Sequence, residues 1–338
     1  MRFFLVCTAL IVFTLNLSAQ DLQPAKQFVE LPEYCPTPDA FDIAPDGSLI
    51  LSCPNFASKQ LTGNILRISK GGVVSKMADV PVLKETGNAQ PMGIAYDEKG
   101  TLYVCDNQGK KGRLLRMTFD KNGLKTTEVI AYGFQSINGI RYHNNTVYVT
   151  QTKLPLFNTK KVSSGVYKFK TTDRLIKVNN TPKDANLFYS EVTQNADRQV
   201  GLDGLVFDSH GNLYVGNLGD ARVTKLFINP EGEIYKTELY AQLPITSAPD
   251  GINIDNKGNL YVAGFAQNQI FKIDTDKEVS LLAQYPDNDG ANGAIDQPAD
   301  LIIYNGKLVI SNFDLMAAKG MVNTKHDKPY TLSYIALE

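Results

Sequence analysis

The chain has little histidine, no tryptophan and no excess of charge of one sign. It contains only three histidines, His143, His210 and His326, and its formal net charge is −1 at pH 7. Such scattered histidines form neither a zinc cluster nor a plausible Ser–His–Asp arrangement. Without a basic tract, nucleic acid is not expected as a partner. If the chain is a hydrolase, we expect a metal ion to activate the reaction.

Long apolar runs are absent except at the N-terminus. There a basic residue precedes an apolar stretch over residues 3–15, and the small residue Ala19 follows. This stretch is short for a membrane span and has the basic start, apolar centre and small exit residue of a signal peptide. We therefore predict a signal peptide at residues 1–19 and one mature domain at 20–338, without a membrane span. The mature protein is expected to be exported, either secreted or periplasmic.

Cysteine is scarce as well. Beyond the predicted signal peptide the chain has Cys35, Cys53 and Cys105, which is an odd number. An exported protein can form one disulfide and keep one free thiol, but the sequence does not select the pair. Three buried, reduced cysteines that act as small apolar residues are the other interpretation. Both interpretations stay open.

The dominant positive feature of the chain is an internal repeat. A polar segment leads into an apolar strand, a turn and a second apolar strand, and the pattern recurs roughly every 50 residues. The copies are residues 38–52, 91–105, 137–150, 202–216, 249–263 and 298–311. Alternating Val, Ile, Tyr and Phe, interrupted by Gly, Asn and Asp, is typical of strands. The repeat predicts an all-β, six-bladed β-propeller.

The ring of blades needs a closing strand. The sixth repeat offers strands at 301–304, 307–311 and 330–336 and is one strand short, whereas 27–31 is a strand that belongs to no repeat. If this N-terminal strand completes the last blade, the propeller has no exposed edge. We therefore predict that the N-terminal strand closes the ring.

Extra chain interrupts the repeat at 153–163 and at 171–200. Long connections are often functional rims or lids, and they are equally often tolerated surface insertions. The sequence does not decide between these two roles.

The residue that opens each first strand is polar in five copies of the repeat. The six residues are Asp39, Met92, Asn138, Asp203, Asp250 and Asp300. In a propeller the first strands line the central channel, so these side chains should meet at one mouth. At about 7 Å and an effective dielectric constant near 20, each pair of like charges costs about 2 kcal/mol. Such carboxylates therefore predict either protonation or a bound cation.

The chemistry of this set favours a hard cation. Carboxylates together with the amide oxygen of Asn138 form an all-oxygen ligand set, and Ca²⁺ accepts irregular geometry better than Mg²⁺ does. We predict one divalent cation, Ca²⁺ first among the candidates, held by Asp39, Asn138, Asp203 and Asp250. The alternative is that these residues only cap turns, because Asn-Gly and Asp-Gly are common turn dipeptides.

The second strand of each repeat runs back to the same mouth and ends in a second, mostly polar set. These ends are Cys53, Asp106, Gln151, Asn217, Gly264 and Asn312. From this outer set, Asp106, Asn217 and Asn312 are predicted to orient a substrate, together with Asp300.

The fifth copy of the repeat, residues 249–263, resembles a segment of the senescence marker protein (regucalcin)/gluconolactonase family. The strand openings Asn138-Gly139-Ile140 and Asp203-Gly204-Leu205 are similar to the two that precede this segment in the family, and the resemblance extends over all six repeats. It implies a six-bladed propeller with one catalytic divalent cation, usually calcium, in its channel. Family members hydrolyse sugar lactones, and relatives such as diisopropyl fluorophosphatase and the paraoxonases cleave phosphofluoridates or esters.

The resemblance also implies individual roles. Asp250 matches the family's metal-binding Asp and candidate general base, and Asn138 matches an Asn that contacts metal or substrate. Asp203 stands where the family usually has Asn, and Asp39 stands where it has Glu. Ser136 replaces the arginine with which aldonolactonases hold their substrate. These departures count against gluconolactone itself and leave the broader chemistry in place.

The leading hypothesis is an exported calcium-dependent hydrolase of a lactone or related ester, with a small-molecule substrate and Asp250 as catalytic base. One alternative is a non-catalytic propeller that binds protein or glycan through its rim. Another is a lyase or condensing enzyme similar to strictosidine synthase. A rim-binding module should keep its activity in EDTA, which separates it from the leading hypothesis.

Overall fold

A computed structural model describes residues 22–337 of the chain. These residues form six β-sheets arranged in a ring, so the predicted six-bladed β-propeller is confirmed. The predicted signal peptide, residues 1–19, lies outside the described residues and stays a prediction. Between residues 22 and 337, no helix is long and apolar enough to cross a membrane.

The blades follow one another along the chain. After β1 (Lys26–Glu30), the first two contain β2 (Phe41–Ile43), β3 (Leu49–Cys53), β4 (Asn64–Ile68), β5 (Val74–Asp79), β6 (Pro91–Tyr96), β7 (Leu102–Asp106), β8 (Gly112–Asp120) and β9 (Gly123–Phe134). The chain continues with β10 (Ile137–His143), β11 (Thr146–Gln151), β12 (Ser163–Lys170), β13 (Ile176–Lys177), β14 (Leu187–Val192), β15 (Leu202–Phe207), β16 (Leu213–Asn217), β17 (Arg222–Ile228) and β18 (Ile234–Gln242). The last two blades contain β19 (Pro249–Ile254), β20 (Leu260–Gly264), β21 (Gln269–Ile273), β22 (Val279–Gln284), β23 (Pro298–Tyr304), β24 (Lys307–Asn312) and β25 (Thr331–Ala336). Short 3-10 helices lie at Gly109–Lys111, Pro155–Phe157, Phe265–Gln267 and Ala291–Gly293.

The N-terminal strand closes the ring, as predicted. β1 pairs antiparallel with β25, with Lys26 opposite Tyr334 and Glu30 opposite Thr331. The sixth sheet therefore has the order β1-β25-β24-β23. The backbone groups of β25 that would otherwise form a free edge are paired with β1, which removes a site for edge-to-edge association.

Part of the 171–200 insertion is built into the sheets. β13 pairs in parallel with β9 and adds a fifth strand to the second blade. β14 then pairs with β12 as the outer strand of the third blade. This segment therefore couples two neighbouring blades, which is a structural role.

The inner strands approach one another most closely at glycines that follow the strand-opening residues. A Cβ atom on Gly204 would lie 2.1 Å from the carbonyl oxygen of Asp250, and one on Gly251 would lie 2.3 Å from a carboxyl oxygen of Asp300. The strand register also shifts at this place in five of the six blades. Such bulges re-aim side chains. The Asn-Gly and Asp-Gly dipeptides thus reflect the packing of the ring around its axis.

One of the two cysteine interpretations is selected. Cys35 and Cys53 form a disulfide with a Cα–Cα distance of 5.4 Å, and Cys105 is free and buried. The bond ties the segment that enters β2 to the end of β3. The backbone N–H of Asp39 also donates to the carbonyl of Ser52, at 2.9 Å. Both links hold the strand opening that carries Asp39.

Candidate active site at one mouth of the channel

The structure brings Asp39, Asn138, Asp203 and Asp250 together. All four line a narrow cavity between the inner strands, and all four also form part of a wider cavity at the mouth. Asp39 and Asp203 are only 7% and 4% exposed, whereas Asp250 is partly exposed to the cavity although it lies deep in the ring. Equivalent positions in four different blades therefore converge, as the repeat predicts.

The three carboxylates of this group oppose one another electrostatically. Burial, followed by the charges of Asp300 and Asp203, raises the pKa of Asp39. Burial, followed by Asp203, Asp39 and Asp300, raises the pKa of Asp250. Burial and then Asp300 raise the pKa of Asp203 to about 8, although a hydrogen bond from the Asn138 side chain acts in the other direction.

No basic side chain between residues 22 and 337 forms an ion pair with this group, although Arg141 also lines the narrow cavity, where its guanidinium donates to the carbonyls of Ile140 and Ile252. Among residues 22–337, none of the ion pairs involves Asp39, Asp203 or Asp250. Buried carboxylates without a positive partner are costly unless they are protonated or bind a cation. When deprotonated, the group therefore carries negative charge that a bound cation would neutralise.

The donor set fits a hard divalent cation. It consists of three carboxylates and one amide oxygen, and Ca²⁺ accepts such ligands together with water in irregular geometry. Within the part of the chain that the structure describes, no three His, Cys, Asp or Glu side chains already stand together as ready metal ligands. The three carboxylates therefore line one cavity without standing as a ready ligand group, and an ion would be held only if these side chains moved together, with the Asn138 oxygen and water as further ligands.

Asp300 is one residue out of register with the other strand openings. In β23 the register shift lies between Pro298 and Leu301, so Ala299 is the counterpart of the other opening residues and Asp300 occupies the glycine position. Its carboxylate Oδ2 accepts a hydrogen bond of 3.0 Å from the Phe41 backbone N–H. Asp300 lines the narrow cavity together with the four candidate cation ligands, but it does not line the wider one. The hydrogen bond with Phe41 joins the sixth blade to the first, and the contact with substrate that the sequence predicts for Asp300 stays a prediction.

The structure brings Asp106, Asn217 and Asn312 to neither of the two cavities. Each ends the second strand of its blade, as predicted, but each is buried and hydrogen-bonded within the fold. Asp106 accepts a bond of 2.7 Å from the Gln90 backbone N–H, and Asn312 accepts one of 3.1 Å from the Asp296 N–H. These two side chains hold the segment that leads into the first strand, which is a structural role.

The wall of the wider cavity is largely apolar, and sequence reasoning missed it. The cavity has a volume of about 490 Å³. Its apolar wall includes Phe56, Phe265, Phe313, Leu315, Met316 and Met321. The rings of Phe56 and Phe265 lie 6.2 and 5.9 Å from the ring of Phe313. These residues come from connections rather than from the repeated strands, so the repeat gave no signal for them.

A few polar residues interrupt this wall. Ser136 and Thr152 share a hydrogen bond of 2.5 Å between their hydroxyl groups. Lys153 and Arg198 also line the cavity, and the Arg198 guanidinium donates to the carbonyl of Ile245 at 3.2 Å. Both insertions of the repeat therefore contribute one cationic side chain to the mouth.

A larger cleft, of about 870 Å³, lies at the end of the ring that carries the hairpin turns. Its lining includes Asn253–Lys257 and Gly306. None of the predicted site residues belongs to it. The candidate active site is therefore the smaller cavity above the carboxylates.

No family model and no curated protein matches the chain. Solved structures that it resembles include a luciferin-regenerating enzyme, at 13% sequence identity and a TM-score of 0.63, over 93% of this chain and 96% of the other. A gluconolactonase from Xanthomonas campestris is 14% identical, with a TM-score of 0.58, over 94% and 96% of the two chains. Regucalcin from Agrobacterium tumefaciens, a calcium-binding protein, is 12% identical, with a TM-score of 0.60, over 93% of both chains.

These three proteins are six-bladed propellers of the family that the sequence resembles. At 12 to 14% identity the likeness establishes the fold and leaves the activity open. The resemblance drawn from the repeat is therefore confirmed at the level of the fold: the chain is a six-bladed propeller built like the gluconolactonase and regucalcin structures.

Proposed function

We propose that this chain is a divalent-cation-dependent hydrolase of a lactone or related ester, with Ca²⁺ as the cation, and that its substrate carries an apolar group. The observation that carries the proposal is the position of Asp39, Asn138, Asp203 and Asp250 at the base of an apolar cavity. Similar solved structures named gluconolactonase and regucalcin, a calcium-binding protein, support it.

The residues of the chain divide the chemistry between them. Asp39, Asn138 and Asp203 would hold the cation together with Asp250; when bound, Ca²⁺ would polarise the carbonyl group of the substrate. Asp250 is the candidate base, because it is the carboxylate of the group that is partly exposed to the cavity, where it can reach a water molecule beside the substrate. The water oxygen bonds to the carbonyl carbon, the ester C–O bond breaks, and the proton on Asp250 can pass to the departing alkoxide.

The cavity wall selects the type of substrate. Sugar hydroxyl groups need hydrogen-bonding partners when they leave water, but the aromatic rings around Phe313 offer none. Ser136, which stands where aldonolactonases carry an arginine, already shares its hydroxyl with Thr152. Each buried methylene group of a substrate, in contrast, contributes about 0.8 kcal/mol, or roughly fourfold in affinity. An alkyl- or aryl-substituted lactone or ester therefore suits this cavity better than gluconolactone.

A comparison of substrates tests the proposal. We expect kcat/KM of the purified chain with Ca²⁺ to be at least about tenfold higher for an alkyl-substituted lactone than for glucono-δ-lactone, given the gain of roughly fourfold per buried methylene. Replacing Phe313 by alanine should lower kcat/KM for the alkyl-substituted lactone and leave that for an unsubstituted lactone nearly unchanged. Hydrolysis rates over a panel of lactones and aryl esters provide the measurement.

Three results would contradict the proposal. If glucono-δ-lactone were hydrolysed faster than the alkyl-substituted lactone, the proposed apolar substrate would be wrong. If the activity persisted fully in EDTA, the proposed role of a cation would be wrong. The absence of hydrolysis throughout the panel, with binding of protein or glycan unaffected by EDTA, would favour the rim-binding alternative.

We also propose that the protein is exported. The apolar N-terminal pattern supports this, and so does the Cys35–Cys53 disulfide, because such bonds persist in oxidising compartments. Expression of the full chain in a bacterial host should give a mature protein that lacks residues 1–19, which mass spectrometry of the N-terminus measures. An uncleaved chain that stays in the cytosol would contradict it.

A further inference from the structure

A second group of carboxylates lies outside the channel. It forms where the connection between β22 and β23 meets the loop between β24 and β25. Asp296 comes from the first segment and Asp314 from the second, and Asp287 and Asp327 add their charges nearby. None of these side chains lines the cavity of the candidate active site. The group therefore calls for an explanation of its own.

Asp296 stands out within this group because its charge has no partner. Its exposed fraction is 0%, and neither carboxyl oxygen has a hydrogen-bonding partner among the described residues. Its carboxyl group faces that of Asp314, and burial followed by Asp314 raises the pKa of Asp296 to about 8. A buried carboxyl group of this kind is costly unless it binds a proton or a cation.

The other carboxylates of the group already have partners. Asp314 accepts hydrogen bonds from the Asn323 amide at 3.0 Å and from the Asp327 backbone N–H at 2.7 Å. Asp287 accepts two from Thr324, one from its backbone N–H at 3.2 Å and one from its hydroxyl at 2.5 Å. These bonds tie the two segments together around Asp296 and give the group a defined geometry.

The nearby basic side chains contact other members of the group but not Asp296. Lys325 is 71% exposed and pairs with Asp327 at 2.8 Å. His326 directs Nδ1 to the backbone carbonyl of Asp314, with the Asp314 carboxylate at 3.5 Å. No ion pair within residues 22–337 involves Asp296. Its charge is left without a counter-ion from the chain.

We propose that Asp296 and Asp314 form a second cation site, separate from the channel, that takes Ca²⁺. Two facing carboxylates are ligands that a hard cation prefers, and water can complete the shell. Asp296 is held in position by its own backbone, since its N–H donates to the Asn312 side chain at 3.1 Å. The site goes beyond the proposed hydrolase activity and does not depend on it.

The position of this site gives it an effect on the active-site cavity. Gln297, next to Asp296, accepts hydrogen bonds from the backbone N–H groups of Leu315 and Met316 at 2.8 and 2.7 Å and donates to the Met316 carbonyl at 2.8 Å. Leu315 and Met316 belong to the apolar cavity wall. Asp296 precedes Gln297 in the chain, and Asp314 precedes Leu315. A cation between the two carboxylates would therefore hold in place both segments whose hydrogen bonds position this wall.

Direct binding measurements test the second site. Equilibrium dialysis at mildly alkaline pH, where protons compete less for Asp296, should show that Asp296→Asn binds one Ca²⁺ per chain fewer than the wild type. The matched control is Asp289→Asn in the same connection, because Asp289 is exposed and its carboxylate accepts from the Ala291 backbone N–H. This control should bind as much Ca²⁺ as the wild type.

The difference between wild type and Asp296→Asn does not depend on the channel site, so failure of one site is distinguishable from failure of the other. Equal Ca²⁺ binding by the two proteins would show that Asp296 and Asp314 share a proton instead, and would overturn the proposal. Hydrogen exchange of the wild type decides the matter if the variant does not fold. Ca²⁺ should slow amide exchange about tenfold or more in residues 286–296 and 323–328, and unchanged exchange there would also overturn it.

Discussion

Replacing Asp250 by asparagine should lower kcat by about 10²–10⁴-fold, the usual effect of losing a general base. Asparagine keeps an oxygen near the candidate cation but does not accept a proton. The fold should remain intact, because the change removes one negative charge from a group whose members raise one another's pKa. The measurement is turnover of an identified lactone or ester at saturating Ca²⁺, alongside thermal melting.

Asp203→Asn is the matched control for this variant. It makes the same chemical change in the neighbouring blade, at a residue that lines the same cavity. It also introduces asparagine, which the family that the sequence resembles usually has at this position. We expect substantial activity from Asp203→Asn. If Asp250→Asn turned over as fast as the wild type, Asp250 would have no part in the mechanism and the rim-binding alternative would gain weight.

Stability should depend on pH and Ca²⁺ together. The pKa of Asp203 is about 8 in the folded chain, and that of an unfolded Asp is about 3.9. Between these values the folded state binds more protons than the unfolded state, so the free energy of unfolding decreases as pH rises. Each such group contributes up to about 1.4 kcal/mol per pH unit within this window. In EDTA we therefore expect Tm to fall between pH 5 and pH 8.

Calcium should reverse this loss. Bound Ca²⁺ stabilises the deprotonated carboxylates, and at one hundred times its Kd it adds about 2.7 kcal/mol. The gain should be larger at pH 8 than at pH 5, where protons compete with the ion. Thermal melting at both pH values, with EDTA and with Ca²⁺, is the measurement. A Tm that stays constant with pH in EDTA, or that Ca²⁺ leaves unchanged at pH 8, would contradict the expectation.

The variant Asp203→Asn tests whether the pH dependence of Tm arises from the carboxylates of the channel. Asp296, with a pKa of about 8, and His326, whose pKa is raised by its hydrogen bond to Asp314, give changes of the same sign. Asp203→Asn removes only one titrating group from the channel and leaves those two in place. Its Tm in EDTA should fall less steeply between pH 5 and pH 8 than that of the wild type.

Much of the architecture could be predicted from local patterns. The strands predicted at 307–311 and 330–336 form at Lys307–Asn312 and Thr331–Ala336. The closing strand was predicted at 27–31 and forms at Lys26–Glu30. Alternation and turn residues are local properties, and a repeat presents them several times, so the number of blades and the closing strand are both readable from the sequence.

The sequence alone also determined which residues meet at the base of the cavity. Asp39, Asn138, Asp203 and Asp250 hold equivalent positions in their repeats, and a ring of equivalent blades brings equivalent positions together. The same argument gave Asp300 the wrong register, because the bulge that begins β23 shifts it by one residue, although Asp300 still lines the narrow cavity. A bulge is set by the pairing of two backbones. An Asp that precedes an apolar run does not indicate where that pairing shifts.

Only the tertiary structure decided the contacts between segments that are far apart in sequence. It selected Cys35 and Cys53 as the disulfide pair, and it turned Asp106 and Asn312 into the fold instead of toward a substrate. It also assembled the apolar wall around Phe313 from separate connections. Loop packing brings these groups together, and no periodic pattern encodes it. The sequence therefore determined the ring and its carboxylates, and the folded chain decided what surrounds them.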